Sequence, residues 1–160
     1  NVSVGNAEDL IWDKTFKISE PLIQVLENIK TPTNWFLISE GWCGDSAQSV
    51  PVLSKIAEAS PLINLKIILR DDNPTVMQQY LTNGSAAVPK LIIRSQVNEK
   101  DLFLWGPRPS KIQEMIIEYK EKFTLQNKPE FLKQLHLWYA RDKGISLQED
   151  FIKLLNQFVR

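Results

Sequence analysis

Apolar positions recur along this chain with two periods, one near 3.6 and one running in short unbroken blocks. Between Glu20 and Lys30, Leu22, Val25, Leu26 and Ile29 fall on one helical face, with Ser19 and Pro21 as start signals and Thr31-Pro32 as a stop. Trp35 to Ser39 (WFLIS) is too short for a helix and suits a buried strand. A turn with Gly41 and Gly44 follows, then a helical stripe of Val50, Leu53, Ile56 and Ala57 between Ser46 and Ser60. Leu65 to Leu69 (LKIIL) reads as a second buried strand, and Asn73-Pro74 as cap and first residue of a helix through Tyr80 and Leu81. Leu91 to Ile93 and Leu102 to Trp105 read as strands of a hairpin around polar Ser95 to Asp101. Ser110-x-x-Gln113 is a capping-box pattern opening a helix with Ile112, Met115, Ile116 and Tyr119.

This alternation predicts an α/β fold, a central mixed sheet flanked by helices. The first domain is expected over residues 1–122, with 1–18 as an extended lead-in. A helical hairpin follows over 123–160, expected to sit on the same domain. Phe131, Leu132, Leu135, Trp138 and Tyr139 line its first helix and Gly144 stops it. Ser146-x-x-Glu149 caps the second, which carries Phe151, Ile152, Leu155, Phe158 and Val159.

Composition changes this picture little. Apolar residues make up 43% and charged residues 24%, as in ordinary globular domains. Nineteen basic and nineteen acidic residues cancel, so no global field recruits nucleic acid or an anionic membrane. No apolar run reaches the length of a transmembrane helix. The chain opens at Asn1 rather than Met, which leaves room for a removed signal or tag. A single cysteine excludes an internal disulfide and fits a reducing, cytoplasmic setting. The one histidine, His136, makes a Cys/His zinc cluster impossible, and no cofactor or metal is expected. The pattern names no oligomeric state.

The chemistry converges on Trp42-Cys43-Gly44-Asp45-Ser46. Cys43 lies between a buried strand and the first turn of a helix, where free N–H groups and the helix dipole favour a thiolate. A thiolate is the nucleophile of disulfide exchange. The competing reading makes Cys43 a small buried hydrophobe, against which the glycine-flanked turn argues. Ser46 has two readings, a hydrogen-bond donor to the Cys43 sulfur or a plain helix-cap hydroxyl. Asp45, an acid in the first turn, suits the dipole and opposes a nearby thiolate, and its net sign stays open. Lys90 is expected in solvent, as are Arg108 and the acidic run Glu99 to Asp101. Leu135, Leu137, Trp138 and Tyr139 read as packing rather than as a ligand box, and a partner-binding surface is the minor reading. A Cys43–His136 pair requires the C-terminal hairpin to fold back over the loop.

From about Glu20 to Lys122 the chain resembles the thioredoxin superfamily. The resemblance rests on five features in order: the Trp42-Cys43-Gly44 loop after a strand, Pro51 eight residues on, Asp71-Asp72-Asn73-Pro74, Val88-Pro89 before a strand, and Gly106 near the end of the last strand. It implies a cis peptide at Val88-Pro89 facing Cys43, with Val88 offering backbone hydrogen bonds to a docked peptide and Trp42, Gly44, Asp45 and Pro89 forming the groove. Three departures matter. Ser46 stands where the family has its resolving cysteine, Leu37 and Ile67 stand where it has a buried Asp–Lys pair, and Asp45 stands where it has proline. Glu40 stands where a thiol peroxidase would have threonine. The resemblance therefore implies monothiol thiol–disulfide exchange at Cys43 with a protein or small-molecule thiol or disulfide, resolved by an external thiol, Cys43 and Ser46 being the catalytic candidates. The alternative is a non-catalytic protein-binding module that reuses the groove and the hairpin.

Overall fold

The computed structural model describes residues 16–122, 124 and 126–159. Most of the expected lead-in therefore lies outside the described residues. Ten elements follow in order: α1 (Glu20–Glu27), β1 (Thr33–Ser39), α2 (Gly44–Glu58), β2 (Ile63–Leu69), α3 (Pro74–Gln78), β3 (Lys90–Ser95), β4 (Asp101–Trp105), α4 (Ser110–Glu121), α5 (Lys128–Asp142) and α6 (Ile145–Phe158). Both β1 and β2 start two residues before the expected strands, because Thr33 and Ile63 already pair across the ladder.

The sheet order is β2-β1-β3-β4. Strand β1 runs parallel to β2 and antiparallel to β3, and β3 is antiparallel to β4. Strand residues alternate between two faces. On one face Trp35, Leu37, Leu91 and Ile93 meet Leu22, Val25, Leu26 and Ile29 from the α1 segment, Leu53 and Ile56 of α2, and Leu147, Phe151 and Leu155 of α6. On the other, Ile38 and Ile92 meet Met77 and Val88, with Phe36, Ile68 and Cys43 alongside. Leu37 and Ile67, the apolar replacements for the family's charged pair, are register partners across β1 and β2. Replacing both members leaves no lone charge in the core.

Helix α6 reaches deep into the first face. The Phe151 ring lies 5.4 Å from Trp35 and 5.7 Å from Trp105 between ring centroids. A third cluster, Ile112 and Ile116 of α4 with Leu135 and Tyr139 of α5, fastens the hairpin's first helix to α4.

The three expected serine or asparagine caps do not form. Pro109 occupies the cap position of α4, and the Ser110 hydroxyl donates to Asp150 Oδ1 at 2.7 Å. Gly144, in the left-handed region at φ 77°, precedes α6, and Ser146 bonds Asp142 through both its N–H and its hydroxyl. Asn73 donates to the Leu69 carbonyl instead of capping α3. In each case a partner from another turn or another helix outcompetes the local cap.

Candidate functional site

Chain direction reverses after β1, and the bend leaves Cys43 at the cap position of α2 in extended conformation (φ −85°, ψ 119°). Gly44 is the first helical residue, two positions earlier than the sequence pattern implied. Cys43 is a free, half-buried thiol, and its Sγ donates to the Val88 carbonyl at 3.3 Å. The Val88–Pro89 peptide is cis and both side chains are buried. Gly106 closes over this segment from the end of β4. Its φ is +108°, and a Cβ built there would stand 2.3 Å from the Pro89 carbonyl oxygen, so only glycine lets the two backbones approach so closely.

Trp42 is 63% exposed and stands at the rim. Its indole N–H donates to Asp71 at 3.3 Å, and the Arg70 guanidinium lies 4.7 Å from its ring centre. Arg70 also pairs with Asp71 at 2.8 Å. That guanidinium first, with the Trp42 N–H adding to it, holds the Asp71 carboxyl below its ordinary range. Glu40 accepts from the Asp71 backbone N–H at 2.7 Å, tying the end of β1 to the rim.

Two expectations for Ser46 fail together. Its hydroxyl is buried without a hydrogen-bond partner among the described residues, so it neither caps α2 nor bonds the Cys43 sulfur. The helix starts before it, which turns its side chain inward with Ser49 one turn later. Lys90 is not in solvent either. It is 6% exposed, and among the described residues its ammonium donates to the Thr82 hydroxyl, at 3.0 Å. Strand alternation at β3 carries it to an interior position, and burial lowers its pKa.

Asp45 holds the largest departure from the expected picture. One carboxylate oxygen accepts from the Tyr139 hydroxyl of α5 at 2.8 Å, and the other pairs with Arg108 at 2.8 Å. The Asp45 side chain is only 10% exposed. Arg108, expected in solvent, is thus the counter-ion of the loop. Burial above all, and then the Asp45 carboxylate, push the Tyr139 phenol far above its usual range, so it stays a donor. The C-terminal hairpin does fold back over the loop, through Tyr139; His136 is exposed on the same helix. Tyr139 and Arg108 contact the candidate site at Asp45, and the sequence pattern did not mark them there. Nothing local signals them, since Asp45 and Tyr139 lie 94 positions apart.

A sequence profile of the family described as Thioredoxin matches residues 5–121. The chain belongs to the thioredoxin family. No curated protein matches this family member. Among solved structures it is similar to a protein of unknown function from Pseudomonas aeruginosa. The TM-score is 0.67 and identity 16%, over 91% of this chain and 80% of that one. It is also similar to an HIV epitope-scaffold, with a TM-score of 0.65 and 17% identity over 90% and 78% of the two chains. At these identities the likeness concerns the fold, including the C-terminal region beyond the profile. Among the described residues of this thioredoxin-family chain no group of His, Cys, Asp and Glu could hold a metal ion. None of its described helices is long and apolar enough to cross a membrane.

Proposed function

We propose that this thioredoxin-family protein performs monothiol thiol–disulfide exchange through Cys43. The observation that carries the reading is a half-buried thiol at the start of α2, hydrogen-bonded to the Val88 carbonyl beside Pro89. The Cys43 thiolate attacks one sulfur of a partner disulfide. The partner's S–S bond breaks, a Cys43–partner disulfide forms, and the electron pair leaves on the partner's second sulfur, which takes up a proton. Ser46 cannot attack this adduct. An external thiol does so, regenerating Cys43 and carrying off the partner as a new disulfide. Pro89 and Trp42 bound the groove in this reading, and the contact of Tyr139 with the loop supports α5 and α6 acting as one unit with the sheet.

With oxidised glutathione, the native protein is expected to form one discrete adduct on Cys43, seen by intact mass and reversed by added thiol. Cys43→Ser removes it. A wild-type protein that forms no adduct under these conditions rejects the exchange reading.

The exposed Trp42, next in sequence to the Cys43 that meets the Val88 carbonyl, supports a second reading, a protein-binding groove that needs no sulfur chemistry. Full cellular function in a strain carrying Cys43→Ala supports that reading and excludes the first.

A further inference from the structure

Asp45 sits two residues beyond the reactive sulfur, in the first turn of α2. A bare carboxylate there opposes a negative charge on Cys43. Its charge is not bare, however, nor is it left to water. Each oxygen has a separate partner at 2.8 Å, one from the segment after β4 and one from α5. A carboxylate only 10% exposed needs such partners whatever its role. Two observations go further than that. The partner on Oδ2 is a full positive charge rather than a neutral donor, itself only 23% exposed. The Tyr139 phenol on Oδ1 comes from α5, so the carboxylate is gripped from two separate segments in the same helical turn that Cys43 caps.

We propose that Arg108, assisted by Tyr139, is a positioning residue for Cys43 that acts through Asp45, cancelling the loop carboxylate so that the sulfur can carry negative charge. This deepens the exchange reading above, and names what sets the reactivity of its nucleophile. The titratable and charged groups at the Asp45 carboxylate are Cys43 and Asp45 themselves, Arg108 after β4 and Tyr139 of α5. On the Trp42 side Glu40 accepts from the Asp71 N–H and Arg70 pairs with Asp71, and beyond Pro89 the Lys90 ammonium is bonded to Thr82. Asp142, further along α5, is engaged by Ser146, and Asp150 of α6 by Trp105 and Ser110. Arg108 is therefore the cation that the structure pairs with Asp45.

The test is the rate of Cys43 alkylation by iodoacetamide at one neutral pH, on the full chain, with circular dichroism to verify folding. Arg108→Leu is expected to slow alkylation about threefold to tenfold, the effect of one uncompensated neighbouring charge. Adding Asp45→Asn to Arg108→Leu is expected to restore the rate to within about twofold of wild type, and Arg108→Lys to retain most of it. A purely structural role for Arg108 predicts no rescue by a second substitution at the same contact. An unchanged rate in Arg108→Leu, or the same slowing with and without Asp45→Asn, overturns the proposal. If Arg108→Leu does not fold, Asp45→Asn alone decides. It leaves Arg108 uncompensated and is expected to speed alkylation, whereas an equal or slower rate overturns the proposal. Alkylation reads the sulfur and the glutathione adduct reads exchange, so the two proposals fail separately.

Discussion

Lys90 shows how a single residue can run against the chemistry its type prefers. An ammonium kept from water and held by one hydroxyl carries an uncompensated desolvation cost in the folded state. Its pKa is lowered from 10.5, burial being the cause. Below the lowered folded value both folded and unfolded chains hold the proton, so the full cost is present. As pH rises from the lowered folded value towards 10.5, the native state gives up its proton first. The unfolded chain then binds more protons, and stability climbs with pH through that window. Urea midpoints at neutral pH and at about pH 10 are expected to show this rise from Lys90. Lys90→Met is expected to raise the neutral-pH midpoint and to flatten the alkaline rise. The sequence placed Lys90 correctly beside Pro89 and still read it as solvated. A charged side chain in a six-residue strand gives no local sign of which face it takes.

At the scale of elements, hydrophobic period was a sufficient guide to what forms but not to how the pieces are locked. All four strands stand where WFLIS, LKIIL and the two hairpin blocks placed them, with ends shifted by a residue or two. Caps failed because other acceptors engaged the capping residues, one turn back for Asn73 and Ser146 and across the fold for Ser110, where Asp150 is the clearest case. From α6 its carboxylate accepts from the Trp105 indole of β4 at 3.0 Å and from the Ser110 N–H and hydroxyl of α4 at 2.9 and 2.7 Å. One side chain thus joins a strand and two helices. Asp150→Ala leaves the Trp105 N–H and the first turn of α4 without their acceptor, and is expected to cost about 2–3 kcal/mol in urea unfolding. Ser110→Ala in that background is expected to add little, because the partner is already gone. Additive losses in the double variant refute this shared role. Ser46 departs from its expected roles for a different reason, since its hydroxyl has no partner among the described residues. A serine near a helix start looks like a cap until the helix is seen to begin at Gly44.

Across the whole molecule the sheet is covered unequally. One face carries α1, α2 and α6, while the other carries α3, five residues long. Stability therefore concentrates on the first face, and Phe151 between Trp35 and Trp105 is its centre. Phe151→Ala is expected to lower stability by about 3–5 kcal/mol. Tryptophan fluorescence and far-ultraviolet circular dichroism should still trace one shared transition if hairpin and sheet unfold as a unit. Two separated transitions would mean that α6 comes away alone. The α/β class and the Cys43–Val88–Pro89 neighbourhood were legible because they rest on short motifs in a fixed order. The Asp45–Arg108–Tyr139 contact was not, because it unites three segments that no periodicity connects.

A ring near position 151 that completes a core begun at position 22 also has a meaning for protein synthesis. A nascent chain emerges from its N-terminal end, so the strands and the Cys43 loop leave the ribosome well before α6 does. Throughout that interval Trp35 and Trp105 present an unfilled apolar face, and Asp45 has yet to meet Tyr139. Chaperones that bind greasy surfaces have their opening then, and the sulfur waits for its final surroundings until α5 and α6 have emerged.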